Sequence, residues 1–200
     1  MLFNRQSWMI LIAAAALLCA TACGNYGKVE QGRAVAFDKQ NGIVTLILDS
    51  APQSDQPKYD RLPPVQVKLP QNPNEMGALP EPGKMLYTDF DRRQIVIFDP
   101  QAVAVKSVSY TVVAQFNNVA KDDPRVTKVK LPFVDRQKKT ITVYSRKKKI
   151  LFTFAVPDEY LALPDNTWKS GDEIRYYYKQ ADQALRLMNV SKIDLSKAGT

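Results

Sequence analysis

After residue 24 the chain alternates apolar and polar residues in short runs bounded by Gly, Pro, Asn and Asp, and helical spacing is scarce. A period of two belongs to strands with one buried face, whereas a helix needs apolar residues three and four apart. The pattern therefore predicts an all-β chain. Arg33 to Asp38 lead through Lys39-Gln40-Asn41-Gly42 into Ile43 to Asp49, and the Asn-Gly pair permits the positive φ of a tight hairpin turn. Further strands are expected at Val65 to Leu69, Met85 to Phe90 and Gln94 to Phe98, with a Pro-rich loop, Ala51 to Pro64, between the second and third.

The second half echoes the first. Phe37-Asp38 corresponds to Val134-Asp135, and Val44-Thr45-Leu46 to Ile141-Thr142-Val143, at one common offset. Ala78-Leu79-Pro80 corresponds to Ala162-Leu163-Pro164, and Gly83 to Gly171, with the offset changing only at loops, where a duplication tolerates it. The expected organisation is a first β module at 28–100, a connecting strand at 101–123, a second β module at 124–195 and a tail at 196–200. Each module has the size and strand number of a small barrel of OB or SH3-like type, and an antiparallel β-sandwich is the alternative. A barrel is preferred because closure removes exposed sheet edges.

Alternation assigns faces. Val44, Leu46 and Leu48 point inward in the first module, and Ile141, Val143, Ile150, Phe152, Phe154 and Val156 in the second. Ile43 and Ile47 then fall on an outer face that water would not favour, so something covers it. The segment Val103 to Phe116 is the expected cover, as one long strand joining the modules, with a sheet shared between protein chains as the alternative.

The N-terminus has a different character. Arg5 precedes an apolar stretch from Met9 to Ala20, followed by Ala20-Thr21-Ala22-Cys23. This has the form of an export signal, and its apolar part is shorter than the roughly 20 residues of a membrane-spanning helix. Cleavage after Ala22 would give a signal peptide at 1–22 and a tether at 23–27. Cys23 would then be the one cysteine left, which favours its lipidation over an unpaired thiol. Acyl chains on Cys23 would hold the protein on a membrane, each methylene contributing about 0.8 kcal/mol.

Residue types limit the chemistry. The chain has no histidine, which removes Ser-His-Asp and Cys-His catalysis and imidazole-based metal sites, and no phosphate-binding glycine motif occurs. No cofactor is implied. Asp89 and Asp91 would share one strand face and Asp172 lies beside Gly171, so a carboxylate-dependent hydrolase stands as a second alternative. Tyr176-Tyr177-Tyr178 near Trp168 invites a stacking platform, but alternation buries Tyr176 and Tyr178 and leaves Tyr177 alone outside. Nucleic acid is not an expected partner, because the chain leaves the cytoplasm.

The formal net charge is +8, and seven cations fall between Arg136 and Lys149 without one acid. Arg136, Lys138 and Lys139 precede a strand of about five residues, and Arg146, Lys147, Lys148 and Lys149 follow it. At ~3.3 Å per residue the groups stand roughly 17 Å apart, beyond a Debye length of about 8 Å, and act as two patches. Either turn could bind anionic lipid or glycan, at about 1 kcal/mol per cation near a membrane surface.

The signal, Cys23-Gly24 and the β-rich layout resemble a family of uncharacterised lipoproteins from sulfate-reducing bacteria. That resemblance implies no activity. The expected function is non-enzymatic: a membrane-tethered lipoprotein of the cell envelope that binds envelope proteins as an assembly scaffold, with anionic lipid or glycan binding through the basic turns as the alternative. Gly24, where Asp would favour retention at the inner membrane, implies the outer membrane facing the periplasm.

Overall fold

The structure, a computed structural model, describes residues 26–53, 56–146 and 148–193. The expected signal peptide, Cys23 and the tail at 196–200 lie outside these residues. The described chain is all-β, as alternation requires. Its strands are β1 (Lys28–Asp38), β2 (Ile43–Leu48), β3 (Arg61–Lys68), β4 (Met85–Asp89), β5 (Gln94–Asp99), β6 (Ala104–Ser109), β7 (Thr111–Phe116), β8 (Phe133–Asp135), β9 (Thr140–Ser145), β10 (Ile150–Ala155), β11 (Glu173–Gln180) and β12 (Gln183–Asn189).

Strand pairing cuts across the expected tandem halves. A closed barrel runs β1-β11-β12-β3-β2, so three strands come from the start of the chain and two from its end. All its ladders are antiparallel except the closure of β12 on β3, where Gln183 meets Lys68 in parallel. Its core holds Val44, Leu46 and Leu48, the expected inward set, with Ile174, Tyr176 and Leu187. The strands β4 to β10 form an insertion of two sheets, β4-β5-β6 and β7-β10-β9-β8, packed around Ile95, Ile97, Val108, Phe152, Phe154 and Trp168. Barrel and two-sheet packing thus occur in one chain, nested rather than in series. The boundaries expected near 100 and 124 fall inside the insertion, because local turn and strand signals carry no information on which distant strands pair.

The uncovered Ile47 face is explained by the middle sheet. On β5, Ile95 and Ile97 face the inserted core while Val96 and Phe98 face the barrel, where they meet Val35, Ile47, Tyr59 and Leu86. The run Ile95-Val96-Ile97-Phe98 is apolar on both faces because both faces are buried, as in an internal layer. The cover is therefore β4 and β5, and of the expected segment 103–116 only Val105 packs on this cluster. That segment is not one strand. It breaks at Tyr110, β6 pairing with β5 and β7 with β10, so it turns the corner between the two inserted sheets.

Four hairpins share one device. Asp38, Asp89, Asp99 and Asp135 each end a strand and accept hydrogen bonds from the backbone N–H groups two and three residues on. The residue four positions on is left-handed: Gly42, Arg93, Val103 and Lys139, at φ 47° to 62°. Ser145 and Lys149 repeat the pattern with a hydroxyl in place of the carboxylate. The side-chain acceptor pins the turn while the left-handed residue returns the chain into register.

The Ala-Leu-Pro echo marks the two places where the chain crosses between barrel and insertion. Met85 and Ser170 form a parallel bridge, and Met85 N–H donates to the Lys169 carbonyl at 3.1 Å. Gly83 and Gly171 stand side by side at the crossing. A Cβ on Gly83 would lie 2.1 Å from the Lys169 carbonyl oxygen, and one on Gly171 2.0 Å from that of Ala34. Only glycine permits backbones this close.

Candidate binding site

The two basic turns lie at opposite ends of β9 and differ in their partners. In the β8–β9 turn the cations are paired: Arg136 with Asp165 at 2.7 Å, Lys139 with Asp158 at 2.7 Å, and Lys138 with Asp135 at 3.9 Å. In the β9–β10 turn none of Arg146, Lys148 and Lys149 forms an ion pair among the described residues, and Lys147 lies outside them. The second turn is therefore the one with cations to spare.

Folding brings that turn to the β4–β5 turn, a neighbour the linear sequence does not indicate. The Lys148 ammonium sits over the Phe90 ring, 4.7 Å from its centroid. Phe90, Arg93, Tyr110, Val112, Gln115, Lys148 and Ile150 line a pocket of about 300 Å³. Its aromatic wall continues into the core, where Phe90 packs edge-on against Phe152 at 5.2 Å and Tyr110 lies 5.9 Å from the same ring. Burial and the nearby Asp89 carboxylate push the Tyr110 phenol above its ordinary range, while Arg93 pulls the other way. Asp89 is itself engaged, accepting the N–H groups of Asp91 and Arg92 and lying 4.0 Å from the Arg92 guanidinium. Arg93 is left without a side-chain hydrogen bond or ion pair among the described residues.

A second surface lies on the barrel. Val29, Tyr177, Leu185 and Met188 form an apolar face over β1, β11 and β12, with Arg175, Arg186 and Glu75 around it, bounding a groove of about 590 Å³. Val29 is 62% exposed, Leu185 43% and Met188 41%, an unusual concentration on one sheet face. The Tyr177 ring lies against Gly27, where a Cβ would approach it to 2.3 Å, so the face begins at the root of the N-terminal segment. Arg186 pairs with Glu75, and Arg175 Nε donates to Gln31 at 2.9 Å. The insertion covers β2, whereas this face is centred on β11 and β12, neither of which borders β2 in the barrel.

The remaining sequence candidates have structural places. Asp89 and Asp91 do not share a strand face, since Asp89 ends β4 and Asp91 lies in the turn it pins. Asp172 accepts from Glu81 N–H at 2.9 Å and Asn189 Nδ2 at 2.7 Å, which ties the return segment to the exit segment. Trp168 is fully buried against Phe154, and Tyr176 is buried with its hydroxyl donating to Glu30 at 3.0 Å. No stacking platform forms from them. Among the described residues no group of three or more His, Cys, Asp or Glu is placed to hold a metal ion, and no helix is long and apolar enough to cross a membrane.

The pocket residues Phe90, Arg93, Tyr110 and Gln115 escaped the sequence reading because they come from different turns and strands. The doublet Arg92-Arg93 was the available signal: one arginine suffices for Asp89, which leaves the other over. Across residues 25–198 the chain matches a family model described as "Domain of unknown function (DUF4881)". Neither the curated proteins nor the solved structures contain a match.

Proposed function

This chain belongs to the DUF4881 family, and from that starting point we propose a non-enzymatic, lipid-anchored protein of the cell envelope that holds a protein partner near the membrane. The observation carrying this reading is the apolar face of Val29, Tyr177, Leu185 and Met188 at the root of the N-terminal segment. Cys23 is the anchor, through acyl chains that replace residues 1–22, and the outer membrane facing the periplasm is the location. Tyr, Met and Arg are the residue types enriched in protein interfaces, and they concentrate here. The rim carries both signs, Glu75 beside Arg186, whereas an anionic bilayer would select for cations alone. A rigid body suits the role: barrel and insertion share the cluster of Ile47, Leu86, Val96 and Phe98. The carboxylates a hydrolase would use, Asp89 and Asp172, are engaged in holding a turn and a crossing.

Two measurements test this. Palmitate labelling and fractionation should place the wild-type chain in the membrane, with both label and membrane association lost in Cys23→Ser. A photo-crosslinker at Leu185 or Met188 in native envelopes should yield one reproducible adduct with an identified protein, while the same group at exposed Leu79 should not. Adducts with phospholipid alone would make the face a membrane footing and overturn the scaffold reading, as would the absence of any adduct specific to these positions.

A further inference from the structure

We propose that the pocket between the β4–β5 and β9–β10 turns is a binding site for a small anion carried on an apolar or planar body, such as an aromatic carboxylate or phosphate ester. The inference rests on the pocket alone and does not require the anchor or the barrel face.

The lining divides into two chemistries. Arg93 and Lys148 supply two cations that have no acidic partner among the described residues, and no carboxylate belongs to the lining. Phe90, Tyr110, Val112 and Ile150 supply an apolar wall and floor. The cations are placed for this by turn geometry and a ring contact. Arg93 is the left-handed residue of its turn, at φ 53°, and its carbonyl accepts Tyr110 N–H at 3.0 Å, which fixes the backbone beneath its side chain. Lys148 lies 4.7 Å over Phe90, a cation–π contact that holds the ammonium against another lining residue without neutralising it.

Solvated hairpin tips commonly carry basic residues, and such residues act as points in water. Here the neighbouring hairpins show the contrast: Lys106 is paired with Asp99, Arg136 with Asp165 and Lys139 with Asp158. Arg93 and Lys148 are unpaired and border a concave, partly apolar space. A guanidinium fork suits the two oxygens of a carboxylate or phosphate, and an ammonium adds a point charge to the same group. The Tyr110 hydroxyl has no hydrogen-bond partner among the described residues and adds a donor on the pocket wall. A free anion would use the cations alone, and an apolar molecule the wall alone. A ligand with both parts uses the whole pocket, whose volume of about 300 Å³ suits a body the size of one substituted ring.

The test is titration of the full chain, anchor included, in neutral detergent micelles, following calorimetric heat and amide shifts. The probes are phenyl phosphate, benzoate, inorganic phosphate and benzyl alcohol. Phenyl phosphate or benzoate should bind with shifts centred on Phe90, Tyr110 and Ile150, and the tighter of the two identifies the anion as phosphate or carboxylate. Arg93→Gln and Lys148→Gln should each weaken binding roughly tenfold. Tyr110→Phe, which keeps the ring and the core packing, should weaken it by roughly threefold to tenfold. Arg136→Gln, at the other end of β9, should change nothing. Inorganic phosphate binding as tightly as phenyl phosphate, benzyl alcohol binding as tightly as either, equal losses in Arg136→Gln, or no binding by any probe would each overturn the proposal.

Discussion

Val103 holds a φ of 47°, a backbone region in which a β-branched side chain crowds its own carbonyl, yet it is 47% exposed and contributes little packing. Val103→Gly is therefore expected to raise stability by about 1 kcal/mol, read from urea denaturation midpoints. Glu81 poses a different residue-scale problem. Its carboxyl is lowered from 4.5 to about 2 by hydrogen bonds from Lys192 and then Lys169. A carboxyl depressed by folding stabilises above its unfolded value, and that contribution fades as pH falls from 4.5 towards 2. Its side chain is 53% exposed, so solvent screening keeps the effect modest. Glu81→Gln should lower the denaturation midpoint modestly at neutral pH, with the deficit closing as pH falls from 4.5 towards 2, so that the acid slope is flatter than in the wild type; an unaltered acid slope would contradict the assignment. At this scale the sequence was informative where a side chain acts on its own turn. Asp38 and Asp135 were visible as corresponding residues, and the structure shows the correspondence to be a shared turn-pinning role.

At the scale of elements, the Ala-Leu-Pro and Gly echo turns out to mark an exit and a return. Gly171 and Gly83 sit where the two crossing segments touch each other and β1, with backbone atoms in the space a Cβ would need. Gly171→Ala should cost about 3 kcal/mol in thermal or denaturant unfolding, because backbone rather than a mobile side chain must move. Gly27→Ala meets only the far end of the Tyr177 ring, which can swing aside, and should cost well under half as much. The strand faces of β2, β9, β10 and β11 were legible from alternation, since a pleated strand with one buried side has no other way to distribute its residues. The break of 103–116 at Tyr110 was not, because alternation continues through a corner at which a strand changes sheet.

The whole molecule is layered: barrel, middle sheet, outer sheet, with the middle sheet buried on both faces. Ile47 is fully buried at the junction of barrel and middle sheet, and Ile47→Ala should cost about 3 kcal/mol. Trp168 lies in the inserted core and is the one described tryptophan, so its fluorescence follows the insertion while far-UV circular dichroism follows all strands. The two transitions should coincide in the wild type and separate in Ile47→Asp, which places a charge in the shared cluster. Coincidence in both proteins would mean that the insertion and barrel are coupled by the crossing segments alone. Alternation, turn residues and the absence of histidine are local properties, so the sequence by itself determined an all-β chain, the inward sets of its strands and the chemistries it lacks. Which strands pair, and that the cations of two remote turns meet over Phe90 and Tyr110, was decided only by tertiary structure. Pairing and pocket both depend on contacts between residues far apart in the chain, and those contacts are selected by the collective burial of three shared clusters rather than by any single segment.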